Sequence, residues 1–422
     1  MYIIGLYFSQ MTISDLTRTV AALPWLSQSP VHLQAEQETE LRRLFAGKKA
    51  SNGMPLDYLI MQSSTWKNEH NRQPILDIAK RVASKQAIGP QGTDLLAELA
   101  MRAVDSEKDA FGNTLLEDLQ WIANEQLKDG VRGYGLNDGE DTRQKVLIGT
   151  MDNILHSYSG AVNGQVNTCA AASVEYALIR AKPAEYARLM SALIANGNGV
   201  AMQGRHDVLQ FQPDSLPADA VIGNERGRNM ASMIFQDAVM EMANGTDDYM
   251  VEDDITHPAA AGQKDYPGLK LSGLPHLYSE MLGKPYEILF NSASGTSNNA
   301  DILEFLKGQQ EGSANPVEVS LYTQKSPTQF DGHSYIFVRA DAQGNVVLRD
   351  PWGSFDAQPP LYGHVDNAKG GLIRLSAEEF LKQKVAVVAP ADQRPVPKPA
   401  PESSTFLSRS LDRMGGLFAT IF

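Results

Sequence analysis

The chain has 422 residues, 42% of them hydrophobic and 21% charged, with a formal net charge of -13 and one cysteine. This composition is typical of a soluble globular protein of two or three domains, and one cysteine excludes an internal disulfide framework. The negative charge argues against sequence-independent binding of nucleic acid or of an anionic membrane, because both require clustered Lys and Arg. No apolar run reaches the roughly 20 residues that span a bilayer, so we expect no stable membrane insertion.

The apolar N-terminus, Met1–Phe8, has no basic segment and no small-residue cleavage site. It therefore does not have the pattern of a secretory signal peptide. The compartment stays open between the cytoplasm and export without a cleavable signal.

The N-terminal third of the chain predicts helices. Apolar residues repeat at intervals of three and four over residues 95–100 and 115–122, the spacing of a buried helix face. From Lys128 to Gln144 the chain is rich in Gly, Asn and Asp, which predicts a loop and a boundary. We expect a mainly helical N-terminal region over residues 1–146 and a second region from residue 147.

In the second region, helices come first and strands follow. Helical patterns, ended by Pro or Gly signals, cover residues 169–182, 184–194 and 229–244. A further short helix, over residues 301–308, precedes the strands. β-Branched and aromatic residues predict strands over residues 317–322, 335–338, 345–349, 371–375 and 385–388. Residues 341–344 read as a hairpin turn, and Ser376 opens a capping box.

The C-terminal end of the chain divides into a linker and a tail. Five prolines between Pro390 and Pro401 predict an extended linker over residues 389–404. Residues 405–422 are apolar and mildly basic, with Gly415-Gly416 interrupting the pattern. This tail is a candidate partner-binding segment, and docking on its own domain is the alternative.

The only cysteine, Cys169, stands where a helix is predicted to begin. Unpaired N–H groups and the helix dipole favour a thiolate there. Far downstream, His333 begins one predicted strand and Asp350 ends the next, so the hairpin between them brings both side chains together. An Asp that orients a His, with the other ring nitrogen facing a Cys, predicts a nucleophile, its base and an orienting group.

Acyl transfer also needs a donor for the developing oxyanion. A side-chain amide just before the nucleophile and the Cys169 backbone N–H would supply it. Gln165 is the first candidate, and Asn163 and Asn167 compete for the role.

Taken together, Gln165 and Cys169 at a helix start, Gly332-His333-Ser334-Tyr335, and Arg349-Asp350-Pro351-Trp352-Gly353 resemble the papain-like cysteine peptidases, most closely the calpain-like branch. The resemblance covers residues 147–388. Asp350 stands where calpains have Asn, and no EF-hand loop is present, so calcium dependence is not implied.

This resemblance implies an α+β fold with a papain-like two-lobe core. A helical lobe carries Cys169, an antiparallel β lobe carries His333 and Asp350, and the core follows a mainly helical N-terminal region. It implies a cysteine endopeptidase that acts on a protein or peptide substrate through an acyl-enzyme, with no cofactor and no metal. The alternatives are a papain-fold transferase or deamidase and a catalytically inactive binding module.

Simpler interpretations compete with this site. A lone cysteine in an Ala-rich helix is commonly a buried hydrophobe, and His364 is a rival base close to Trp352. Trp352 itself is expected to shield the His–Asp pair from water. The acidic residues between Asp247 and Asp254 are typical of a solvated loop. The N-terminal region is also a candidate proregion that occludes the cleft.

Overall fold

The helices of the N-terminal region form where apolar residues recur along one face. The computed structural model describes residues 30–50, 52–83, 90–102, 107–125, 127, 139–161, 168–195, 199–204, 206–211, 228–244, 268–326, 329–353, 364–366 and 371–395. The first helices in these ranges are α1 (Pro30–Leu44), α2 (Leu56–Gln62), α3 (Ser64–Lys67), α4 (Glu69–Ala83), α5 (Pro90–Met101) and α6 (Leu115–Asn124). Helix α6 starts at a capping box in which Thr114 and Glu117 bind each other's backbone N–H.

The next helices build the part of the molecule that carries Cys169. They are α7 (Gly139–Leu155), α8 (Ser157–Gly160), α9 (Cys169–Ala181), α10 (Pro183–Ala195), α11 (Met230–Asn244) and α12 (Leu274–Leu282). A short ladder of β1 (Val200–Ala201) and β2 (Val208–Leu209) lies between α10 and α11. The three helices predicted from residue 169 to residue 244 are confirmed.

An antiparallel sheet follows. Its strands and helices are β3 (Tyr286–Asn291), α13 (Asn299–Lys307), β4 (Glu318–Ser326), β5 (Gln329–Ala340), β6 (Val346–Arg349), β7 (His364–Asp366), β8 (Leu372–Leu375), α14 (Ala377–Leu381) and β9 (Lys384–Pro390). The order across the sheet is β3-β9-β4-β5-β6-β8-β7. The chain is therefore α+β, as predicted. Strand β9 runs through Pro390, two residues into the predicted linker.

Both faces of the sheet are covered. On one face, Ile336 and Val388 join a continuous cluster of buried apolar residues that extends through the helices from Leu41 onwards. On the other face, α13 and α14 pack over Tyr335, Val387 and their neighbours. The N-terminal helices and the Cys-bearing helices thus share one apolar core, because the first cluster crosses residue 146 without a break.

One turn motif occurs twice, once in each region. The sequence Asp-Ala-x-Gly-Asn closes the predicted hairpin at 341–345 and recurs at 109–113, just before α6. In both copies the Asp Oδ1 accepts backbone N–H groups two and four residues ahead, at 2.8 to 3.0 Å. The backbone φ is 93° at Gly112 and 79° at Gly344. The sequence analysis did not predict the copy at 109–113, because the segments around it have helical periodicity.

A buried carboxyl lies beside the copy of this motif at 109–113. Asp118, on α6, is 3% exposed. Its Oδ2 has no hydrogen-bond partner among the described residues. Burial raises the pKa of Asp118 to about 8, and the charges of Asp109 and Glu185 act in the same direction while Arg188 opposes them. The folded chain therefore retains a proton on Asp118 near neutral pH.

We expect Asp118→Asn to remove part of the pH dependence of stability. The folded pKa of Asp118 is about 8. The unfolded value is about 3.9, so unfolding releases this proton across the interval between the two values. The free energy of unfolding of the wild type should then fall relative to the variant, by on the order of 4 kcal/mol from about pH 5 to about pH 8. Urea unfolding at several pH values measures this difference.

The control for this prediction is Asp392→Asn, because Asp392 is exposed. That variant should follow the wild type at every pH. Parallel stability curves for the wild type and Asp118→Asn would contradict the assignment of the buried proton.

Candidate active site

Helix α9 places the cysteine. Cys169 is its first residue and is partly exposed. The preceding residue, Thr168, is the N-cap, with φ -96° and ψ 21°, and its side chain makes no capping hydrogen bond. The thiol therefore lies at a helix N-terminus, as predicted, among N–H groups that have no carbonyl partner within their own helix.

Strands β5 and β6 place the histidine and the aspartate. The last pair between these strands is Ile336 with Arg349, so Asp350 leaves the ladder next to β5. His333 Nε2 and Asp350 Oδ1 are 2.9 Å apart, and both side chains are 6% exposed. His333 lies inside β5, which starts at Gln329, whereas the sequence predicted a shorter strand that begins at His333.

The carboxylate determines which ring nitrogen of His333 faces the cysteine. An ionised Asp accepts hydrogen bonds only, so Nε2 carries a proton and donates it to Asp350. Nδ1 remains as the ring nitrogen for Cys169. Asp350 Oδ1 also accepts the N–H of Trp352 at 2.9 Å, which holds the carboxylate in the turn that follows β6.

The turn after β6 is closely packed. Asp350 donates its N–H to the carbonyl of Gly371 at 2.6 Å. Gly371 has a φ of 87°, and a Cβ at this position would lie 3.0 Å from the carbonyl oxygen of Asp350 and from the Cα of Gly353. A residue with a side chain at 371 would therefore displace the turn that holds Asp350.

Two aromatic rings flank the imidazole of His333. The Trp352 ring lies 4.7 Å from it, centroid to centroid, at 52°. The Tyr335 ring lies 4.6 Å away at 82°, an edge-to-face contact. Trp352 thus contacts the pair that it was expected to shield.

Charge favours an ion pair between Cys169 and His333. Burial alone would raise the pKa of the Cys169 thiol, but the charge of His333, a hydrogen bond with its ring and the backbone N–H groups of Ser334 and Ala170 together lower it. Burial acts against the imidazolium of His333 as well, yet the charge of Cys169 and the hydrogen bond to Asp350 raise its pKa to about 10. Imidazolium is therefore the favoured state of His333 near neutral pH, and the lowered pKa of Cys169 shifts the thiol towards the thiolate.

Ser334 connects α9 to the sheet. Its N–H donates to the Cys169 sulfur, and its carbonyl accepts the hydroxyl of Ser173 at 3.3 Å. Its own hydroxyl donates to Glu318 Oε1 at 2.9 Å. The residue after the base therefore holds the first turn of the nucleophile's helix.

Glu318, which the sequence interpretation missed, is a buried carboxyl on β4. Besides Ser334, it accepts the hydroxyl of Ser320 at 2.6 Å, and its Oε2 has no hydrogen-bond partner among the described residues. Burial raises the pKa of Glu318 to about 7, while the serine hydrogen bonds and the charge of His333 lower it. The signal that could have revealed this buried carboxyl is a pair of polar residues at alternate positions, 318 and 320, in a strand that is covered on both faces.

The remaining sequence candidates have different outcomes. Gln165, Asn163, Asn167 and the acidic residues 247–254 lie outside the described residues. The backbone of His364 is in β7, which is separated from β5 by two strands, β6 and β8. Among the described residues, no group of three or more His, Cys, Asp or Glu side chains is arranged to hold a metal ion. Within the same ranges, no helix has the length and apolar character needed to cross a bilayer.

Comparison with known proteins finds neither a matching family model nor a significantly similar curated protein.

We expect alkylation of Cys169 by iodoacetamide to titrate with an apparent pKa well below the ~8.5 of an ordinary thiol. His333→Ala should raise that pKa towards the ordinary value and slow alkylation at about pH 6 by at least ~10-fold. His276→Ala, which removes an exposed histidine, is the control and should behave as the wild type. An unchanged thiol pKa in folded His333→Ala would refute the ion pair.

Two substitutions at Asp350 should separate its hydrogen bond from its charge. Asn retains an oxygen that can accept the Nε2–H of His333 and the N–H of Trp352. Ala has no such acceptor. We expect Asp350→Asn to slow Cys169 alkylation at about pH 6 by less than ~10-fold and Asp350→Ala by more. Equal effects of the two variants would mean that orientation of the imidazole is not the role of Asp350.

Proposed function

We propose that this protein is a papain-like cysteine hydrolase that cleaves peptide bonds through an acyl-enzyme. The observation that carries the proposal is the Cys169–His333–Asp350 constellation, with a lowered thiol pKa, a raised imidazole pKa and a 2.9 Å contact between His333 and Asp350. A structural cysteine needs neither a charged partner nor an orienting carboxylate.

The architecture supports the papain-like assignment. A central helix carries the nucleophile at its N-terminus and packs against an antiparallel sheet. Adjacent strands of that sheet supply the base and its orienting group. This placement of nucleophile, base and orienting group supports the two-lobe arrangement that the resemblance to the calpain-like branch implies. Asp350 in place of the calpain Asn retains an acceptor for the Nε2–H of the histidine.

In the proposed reaction, the Cys169 thiolate attacks the carbonyl carbon of the substrate. The developing oxyanion accepts hydrogen bonds from the Cys169 backbone N–H and, as the sequence predicts, from the side-chain amide of Gln165. The imidazolium of His333 gives its Nδ1 proton to the leaving amine, and the acyl group remains on sulfur.

Deacylation uses the same groups in reverse order. Neutral His333 takes a proton from water through Nδ1, and the hydroxide attacks the thioester. Collapse of the second tetrahedral intermediate releases the acid and restores the thiolate–imidazolium pair. Asp350 keeps the imidazole in one orientation through both halves of the cycle.

The same thioester chemistry would also serve a deamidase or an acyl transferase, because only the acyl acceptor or the kind of amide changes. The products distinguish these activities by mass. Peptidase action yields two fragments that together contain one added water, deamidation leaves the chain intact with an acid in place of an amide, and transfer adds a second molecule.

We expect Cys169→Ala to reduce turnover of a protein substrate by at least ~10⁴-fold, because the covalent step disappears. Wild-type protein alkylated at Cys169 should be equally inactive, which provides a chemically independent control. The assay is mass spectrometry of a denatured protein or a peptide library after incubation. Undiminished hydrolysis by folded Cys169→Ala would refute the proposal, and no turnover by a wild type with a reactive thiolate would favour the inactive binding module.

A further inference from the structure

A second buried carboxyl lies on the side of the sheet that faces the helices. Glu318, on β4, stands opposite Ile336 of β5 and Val388 of β9. Both of these residues belong to the apolar cluster that the sheet shares with the helices. Because residues directly opposite each other share one face of a sheet, Glu318 projects towards the same side, where it is completely buried. Ser320, two residues along the strand, shares this face.

Glu318 is linked to the reacting groups through one residue, Ser334. The hydroxyl of Ser334 donates to Glu318 Oε1 at 2.9 Å, and that of Ser320 donates to the same oxygen at 2.6 Å. Ser334 directly follows His333 in the chain, and its N–H donates to the sulfur of Cys169. The carboxyl is therefore held one residue away from both members of the Cys–His pair.

The hydrogen bonds of Glu318 do not by themselves balance its charge. Two hydroxyl groups bind Oε1, and Oε2 has no hydrogen-bond partner among the described residues. Burial of such a carboxylate is costly unless a positive charge compensates it. Burial accordingly raises the pKa of Glu318 to about 7, and the two serine hydrogen bonds and the charge of His333 oppose this rise. His333 is the cation that the structure places within range of Glu318.

The effect of these two charges on each other is reciprocal. If the imidazolium of His333 favours ionisation of Glu318, then ionised Glu318 favours the imidazolium by the same free energy. Asp350 acts on the same ring through its contact with Nε2. Two carboxylates therefore act on His333, one through a hydrogen bond that orients the ring and the other through charge.

The other ionisable groups around Glu318 come from α9, α12, β6 and its own strand. Tyr278, on α12, and Tyr322, on β4, have pKa values that are raised by burial first and then by the charge of Glu318. Both phenols are therefore neutral at neutral pH and add no charge. Arg349, on β6, acts on Tyr278. Cys169, on α9, carries a thiolate of the same sign as ionised Glu318.

We propose that Glu318 is a positioning residue that stabilises the imidazolium of His333 through its own negative charge, held in place by the hydroxyls of Ser320 and Ser334. Resting on the proposed function, this charge helps to keep the Nδ1 proton that the leaving amine receives. The carboxyl changes its charge in the neutral range, so the stabilisation is present at alkaline pH and is lost as the pH falls below about 7. A carboxyl that served only as a hydrogen-bond acceptor would not affect the titration of the imidazole.

The test is the titration of His333, followed by the NMR signals of its imidazole in full-length protein with isotope-labelled histidine. His333→Ala identifies these signals by removing them. In the wild type we expect a small step near pH 7, where Glu318 ionises, and a main transition at about pH 10, where the imidazolium loses its proton. Glu318→Gln retains an acceptor for both serine hydroxyls but lacks the charge. It should remove the step and lower the pKa of His333 by about one unit.

Two further variants assign the step to Glu318. Ser320→Ala removes one hydroxyl donor and retains the carboxyl, so the step should move to higher pH. Glu304→Gln removes an exposed carboxylate on α13 and should leave both transitions unchanged. A His333 titration that Glu318→Gln does not alter overturns the proposal, even where the melting temperature of the variant falls, and so does a step that persists in it. If Glu318→Gln does not fold, Ser320→Ala decides, and an unmoved step overturns the proposal.

The outcome also separates this proposal from the proposed function. A low thiol pKa of Cys169, together with a His333 titration that Glu318→Gln leaves unchanged, refutes the role of Glu318 alone. An ordinary thiol pKa in the wild type refutes the proposed function, and the His333 titration then decides the role of Glu318 by itself. Where a substrate is turned over, the alkaline limb of kcat/KM should move to lower pH in Glu318→Gln by the same interval as the pKa of His333, because kcat/KM reports the free enzyme.

Discussion

The contact between the first turn of α9 and the main chain of Ser334 is the interaction on which the site depends. Pairing between β5 and β6 ends at Ile336 and Arg349, so this side of β5 continues past the end of the neighbouring strand. The N-terminus of α9 occupies that space, where Ser334 donates its N–H to the sulfur of Cys169 and accepts the hydroxyl of Ser173. Because backbone groups must be paired when they are buried, ending β6 early creates the position that the helix fills.

Buried ionisable groups surround this contact, and they do not stabilise the fold by their charge alone. Arg349 is fully buried, donates to the carbonyl of Ala161 and lies with its guanidinium 4.7 Å from the centroid of the Tyr176 ring. Burial lowers the pKa of Arg349 and raises those of Glu175 and Glu318. Replacement of buried charged groups by apolar side chains of similar volume is often neutral or stabilising, so what these groups add to the interface is the direction of their hydrogen bonds. They hold α9 in one position against the sheet.

The sequence predicted those parts of the site that follow from local rules. The start of α9 at Cys169 follows from the helical pattern, and the turn at 341–344 follows from its Asp and Gly. The proximity of His333 and Asp350 follows from that turn. Glu175, Gln236 and Glu318 were not predicted, because each lies in an apolar pattern that indicates only burial. Which buried polar groups meet depends on the packing of α9, α11 and β4, which residues far apart in the chain determine.

The uncapped helix illustrates how stability and reactivity balance in this site. An N-cap hydrogen bond contributes about 1 kcal/mol to a helix, and one unit of thiol pKa corresponds to about 1.4 kcal/mol. The two effects are similar in size and draw on the same N–H groups, so α9 cannot have both in full. The Thr168 side chain makes no capping bond, and its ψ of 21° differs from the 159° of Thr114, which caps α6, so these donors remain for charge on Cys169. A cysteine that served only packing would gain nothing from that arrangement, and the cap would then be the more stable state.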